Sequence, residues 1–179
     1  AGVYKVPYRW RPMTFKSEGR EYFNERAIAT QQTGFVLIAQ MRSWLPDAVG
    51  GILWFGVDDA NTAVLTPMYA SITEIPECYR RGNGSMTEFS WTSAFWIHNW
   101  VANMAYNRYE PMIRDIRPVQ KELEDSYVDL VKNTDAKALE LLKSSPAQAT
   151  AYLTEVCGKV ANEATARWKK LGEYLLVKY

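Results

Sequence analysis

Histidine occurs once in this chain of 179 residues and cysteine only twice, and both scarcities narrow the available chemistry. A lone His98 needs carboxylate or thiolate partners to hold a metal ion, and none stands at helical spacing from it. Beside Trp96 and Trp100, within a helical pattern, it reads as a packed or partly exposed helix histidine. Cys78 and Cys157 are too few for a disulfide framework and lack metal-ligand spacing. Neither carries a sign of thiol activation such as a helix start facing basic groups, and Cys157 reads as core. No metal and no cofactor is expected.

An excess of charge is also missing. The formal net charge is +1, and the lysines and arginines are interspersed with acids, so no nucleic-acid partner is expected. Long hydrophobic runs are absent too. The longest, Gly50 to Val57, is strand-sized, against the roughly 18 apolar residues of a membrane span. Lys5, Arg9 and Arg11 precede no apolar run of signal-peptide type, and nothing in the chain assigns a compartment. Internal repeats and low-complexity segments are lacking.

What is plentiful is aromatic surface: seven Trp and eleven Tyr make up most of a 13% aromatic fraction. Such side chains combine large apolar area with a polar edge and suit cores and interfaces alike. Packing, in a core or against a partner, is the favoured reading over a ligand-stacking platform. With 47% hydrophobic and 23% charged residues, the composition is that of a globular protein.

Three regions follow one another. Residues 1–32 read as a polar, irregular connecting segment with Pro7, Pro12 and the run Tyr8-Arg9-Trp10-Arg11. Residues 33–76 read as antiparallel strands: Thr33 to Trp44, Gly51 to Val57 and Ala63 to Tyr69. Asp58-Asp59-Ala60-Asn61 supplies turn chemistry between the last two, and Pro67 places the third strand at an edge or where pairing ends. Residues 90–179 read as helical. One helix runs from about Ser93 to Tyr109, with Ser90 or Thr92 as cap. Pro111 and Pro118 break or kink the path before a helix over Val119 to Val131, and a short one spans Ala136 to Leu142. Ser145-Pro146 starts the last helix, because proline in the first turn lacks only a donor that has no partner there. Gly158 and Gly172 are its weak points. Strands followed by helices make an α+β fold. Three strands alone would leave open edges, which proteins usually pair or cover, so a portion of the sheet is expected to come from elsewhere.

Little of this points to a self-contained active site. Arg80-Arg81-Gly82-Asn83-Gly84 matches no phosphate-loop pattern and reads as a solvated turn. Asp58 and Asp59 form an acid pair, but turn chemistry explains them. Glu122, Glu124 and Asp125 mix with Lys121 as a solvated helix face.

The ordered string of motifs says more. Gln40-Met41-Arg42-Ser43-Trp44-Leu45-Pro46, Gly50-Gly51-Ile52-Leu53-Trp54 and Thr66-Pro67-Met68-Tyr69 stand in sequence within Arg26 to Glu77. Ser93-Ala94-Phe95-Trp96, Asn99, Val101-Ala102-Asn103, Asp115-Ile116, Gln120 to Glu124 and Trp168 to Glu173 continue the series. Together they resemble the carboxy-terminal portion of the dipeptidase A family, N-terminal-nucleophile cysteine peptidases similar to penicillin V acylase.

The resemblance implies an αββα sandwich and a cysteine dipeptidase that hydrolyses short peptides by acyl transfer, its nucleophile being the first residue of the mature chain. Residue 1 here is Ala1, so the nucleophilic cysteine is expected in upstream sequence, and this chain alone is expected to be inactive. No catalytic residue is assigned within it. For substrate binding the resemblance singles out Arg42, whose guanidinium can grip a peptide carboxylate with two hydrogen bonds, and Trp44 as a pocket wall. A surface or interdomain ion pair for Arg42 and plain packing for Trp44 are the competing readings. Expected partners are the upstream portion of the same polypeptide, short peptide substrates and a further copy of the chain in a homo-oligomer, with no nucleic acid and no membrane. The alternative to an enzyme part is a non-catalytic, Trp-rich binding or interaction module.

Overall fold

The computed structural model describes residues 13–25, 29–30 and 32–179. Ala1, Lys5 and the run Tyr8 to Arg11 lie outside the described residues, as does Arg26.

The first departure from expectation lies in the connecting segment. Strands β1 (Met13–Ser17) and β2 (Arg20–Glu25) form an antiparallel hairpin there. Glu18 and Gly19 turn the chain with φ of 51° and 76°, the two positive angles that a tight hairpin turn requires. Phe15 stacks on Tyr22 with ring centroids 5.2 Å apart, a cross-strand pair of the kind that holds two strands in register.

The second sheet has the order β3–β4–β5, all antiparallel: β3 (Phe35–Met41), β4 (Gly51–Val57) and β5 (Thr66–Tyr69). A short turn of helix, α1 (Asp47–Gly50), joins β3 to β4. The loop between β4 and β5 is built on Asp59. Its carboxylate accepts from the Asn61 N–H at 3.3 Å and from the Thr62 hydroxyl at 2.7 Å, which is the turn chemistry the side chain favours.

Helices α2 (Ala94–Asn107), α3 (Tyr109–Ser144) and α4 (Pro146–Lys178) complete the α+β fold. The Ser145 side chain caps α4 by accepting from Gln148 N–H at 3.3 Å, with Pro146 in the first turn as its sequence position demands. Ser93, rather than Ser90 or Thr92, stands at the N-cap of α2. Pro118 does not end a helix: α3 is a single element of 36 residues, and the break expected there is absent. Ile116, Val119 and Gln120 around the proline are buried. That burial outweighs the roughly 3 kcal/mol a helix-interior proline costs.

Helix α4 is the spine. Ala149, Leu153, Cys157, Ala161, Ala164, Trp168, Leu171 and Leu175 recur at three- and four-residue spacing and are all buried. One end of this stripe packs with Val49, Ile52, Tyr69, Val131 and Ala138. The other packs with Ile97, Val101, Ile116 and Tyr127. Trp168 lies wholly out of solvent, flat against His98 at 4.8 Å.

The two edges of the sheet differ. At β5, Tyr69 N–H donates to Cys157 Sγ at 3.3 Å, and Cys157 Sγ donates to Pro67 O at 3.5 Å, so α4 closes that edge. Pro67 thus sits on an edge strand, where its missing N–H costs no ladder bond. At β3 no further strand follows among the described residues.

Candidate functional site

Arg42 leaves the end of β3 and turns inward, with only 7% of its surface exposed. Its backbone N–H donates to Gly50 O at 2.9 Å, and Nε donates to the same carbonyl at 3.4 Å. Nη2 donates to Val49 O. Nη1 and Nη2 together hold the carboxylate of Asp135 on α3, the second bond measuring 3.2 Å. Tyr69 of β5 donates its hydroxyl to Asp135 Oδ1 at 2.7 Å, and burial next to that carboxylate raises the phenol above its ordinary range. Four of the five N–H groups of the Arg42 guanidinium are therefore engaged within the chain. A two-bond grip on a peptide carboxylate is not open to Arg42 in this arrangement. What it does is lock the loop 42–50 against α3.

That loop carries Trp44, which is 77% exposed and packs into no core cluster. Beside it, Met41, Arg42, Leu45, Asp47, Gly51 and Ala70 line a cavity of about 370 Å³. The sequence singled out Arg42 and Trp44 but missed Asp135 and Tyr69. Asp135 lies in a charged helical stretch with nothing local to mark it.

Neither thiol is poised as a nucleophile. Cys78 and Cys157 are both buried, and burial pushes each up to about 11. Burial also lowers His98 to about 3, leaving a neutral imidazole on the Trp168 ring.

Strand β3 is apolar and bare. Phe35 is 59% exposed, Met41 76% and Ile38 54%; the first two share one sheet face and Ile38 lies on the other. A solvent-facing strand normally alternates apolar with polar residues, so this one has the character of an unfilled interface.

After β5, Arg80, Arg81 and Gly82 are exposed, as a solvated turn requires, and the segment also borders a cavity. Arg80, Arg81 and the backbone of 82–84 line a cavity of about 330 Å³ whose other walls include Phe55, Tyr79, Phe95 and Trp96. Asn83 organises the segment, donating to Glu77 Oε1 at 3.1 Å and accepting from the hydroxyls of Ser90 and Thr92.

A model of peptidase family C69 matches residues 6–122 of this chain, taking in both sheets, α2 and the first part of α3. The chain belongs to peptidase family C69. Among curated proteins, this C69 chain is 30% identical over 143 residues to a probable dipeptidase of Latilactobacillus sakei. The alignment takes in 78% of the chain and 28% of that relative, so the chain spans well under half the length of the protein it matches.

Proposed function

We propose that this chain forms the carboxy-terminal part of a dipeptidase that hydrolyses short peptides by cysteine acyl transfer, with the reactive thiol supplied by polypeptide outside this sequence. The observation that carries the reading is β3, apolar on both faces and, among the described residues, unpaired along one edge, in a chain of family C69. In the proposed assembly a strand of the upstream polypeptide pairs with β3 and the sheet becomes one layer of an αββα sandwich.

The reaction then runs on an amino-terminal cysteine. Its α-amine, which titrates near neutral pH, takes the thiol proton while the sulfur attacks the peptide carbonyl. The departing amine takes that proton from the ammonium, and water cleaves the thioester. Cys78 and Cys157 do not suit this role, since each is buried and stays a thiol at neutral pH. Arg42 serves the site by fixing the loop that presents Trp44, with Trp44 as a wall of the substrate pocket.

Dipeptide hydrolysis by this chain alone, and by the chain assembled with its upstream polypeptide, tests the proposal. The assembled protein is expected to cleave dipeptides and to lose activity on alkylation with iodoacetamide, while the chain alone is inert. Cleavage by the chain alone at thiol-enzyme rates would overturn the placement of the nucleophile. An assembled protein without hydrolysis would favour the alternative reading, a binding module that uses the exposed Trp44 and Trp91.

A further inference from the structure

The cavity lined by Arg80 and Arg81 joins an aromatic wall to guanidinium groups that are unpaired among the described residues. Phe55 and Tyr79 meet edge to face at 5.1 Å, and Phe95 and Trp96 at 5.6 Å, so the apolar side is built from fixed rings. No carboxylate lines the cavity. Among the described residues, neither arginine side chain has an ion pair or hydrogen bond, and Glu77 nearby already accepts from Asn83. The segment is held in place. Gly84 has φ of +82°, and a side chain there would meet the Trp96 ring at 2.8 Å, so the backbone lies directly on the indole. Phe55 and Val57 stand on the same face of the sheet as Leu37 and Phe35 of the bare strand, their direct partners in register.

From this geometry we infer that the cavity is the subsite for the carboxy-terminal residue of a peptide substrate, its free carboxylate held by Arg80 and Arg81 and an apolar or aromatic side chain held against Phe95 and Trp96. The inference rests on the dipeptidase reading and gives it a substrate class: short peptides with a free carboxyl end and a large apolar last residue. It also moves the carboxylate grip from Arg42, whose donors are taken, to two guanidiniums whose donors are free. A forked guanidinium matches a carboxylate bidentately, and the apolar wall strengthens that bond by excluding water.

The test uses the full-length protein and compares dipeptides ending in phenylalanine with their carboxy-terminal amides. The wild type is expected to favour the free acid. The combined Arg80→Ala and Arg81→Ala variant is expected to raise KM for the acid by about 10- to 100-fold, with kcat within about twofold and KM for the amide unchanged. Both side chains are exposed, so the fold is expected to persist, which circular dichroism checks. A double variant that keeps the acid-over-amide preference overturns the inference and leaves the dipeptidase reading standing. If the wild type cleaves no dipeptide, that reading has failed, and binding of N-acetylphenylalanine against its amide, followed by tryptophan fluorescence, decides the subsite alone. Saturable binding of the acid, lost in the double variant, supports it. No binding overturns it.

Discussion

Arg42 and Asp135 stand 93 positions apart in the sequence and meet as a two-bond ion pair with side chains 7% and 17% exposed. A buried pair of this kind is strongly destabilising to break from one side, because the remaining charge loses its partner without regaining water. Asp135→Ala is expected to lower stability by about 3–5 kcal/mol, read as a drop in the urea midpoint at unchanged slope. The paired replacement Arg42→Met with Asp135→Leu is expected to recover much of the loss. An Asp135→Ala protein as stable as the wild type would show that the pair is not holding the loop.

The buried imidazole gives stability a pH dependence of predictable sign. His98 is held neutral, at about 3 against an ordinary 6.5. Its favourable contribution is complete above 6.5 and declines as the pH falls from 6.5 towards 3, because over that window only the unfolded chain takes up the proton. At pH 5 the loss comes to about 2 kcal/mol. His98→Phe keeps a ring on Trp168 and removes the titration, so its unfolding free energy is expected to fall less between pH 7 and pH 5 than that of the wild type.

Both cysteines are expected to resist iodoacetamide at neutral pH in the folded protein and to react fully in urea, as intact mass would record. Thiols pushed up to about 11 are almost wholly protonated at pH 7, and burial blocks access as well. Labelling of either in the native state would mean that its helix or turn opens readily.

Two glycines of α4 look alike in sequence and are expected to respond oppositely. A Cβ on Gly158 meets nothing within 4 Å, so Gly158→Ala gains helix propensity and stabilises by about 0.5–1 kcal/mol. On Gly172 it would lie 2.5 Å from the Trp100 ring, so Gly172→Ala pushes α2 from α4 and lowers Tm. Thermal unfolding of the two single variants separates a helix weak point from a packing site.

Local pattern carried a good part of the fold. The apolar run from Gly51 to Val57 is strand β4 to the residue, and the Ser145-Pro146 signal starts α4 where it stands. The hairpin of β1 and β2 was hidden because its strands are short and solvent-facing, with Tyr22 and Phe23 adjacent rather than alternating in β2, although Phe15 in β1 and the Glu18-Gly19 turn carried local signals. Pro118 misled in the other direction: a local breaker was overridden by the burial of Ile116 and Val119.

By itself the sequence determined the α+β order of elements, the spacing of the α4 stripe and the family, since each is written in neighbouring residues or in ordered motifs. Which charges are consumed and which are free was decided only in three dimensions. Arg42 meets an acid from a helix far along the chain, while Arg80 and Arg81 meet none among the described residues, and long-range pairing leaves no trace in local spacing.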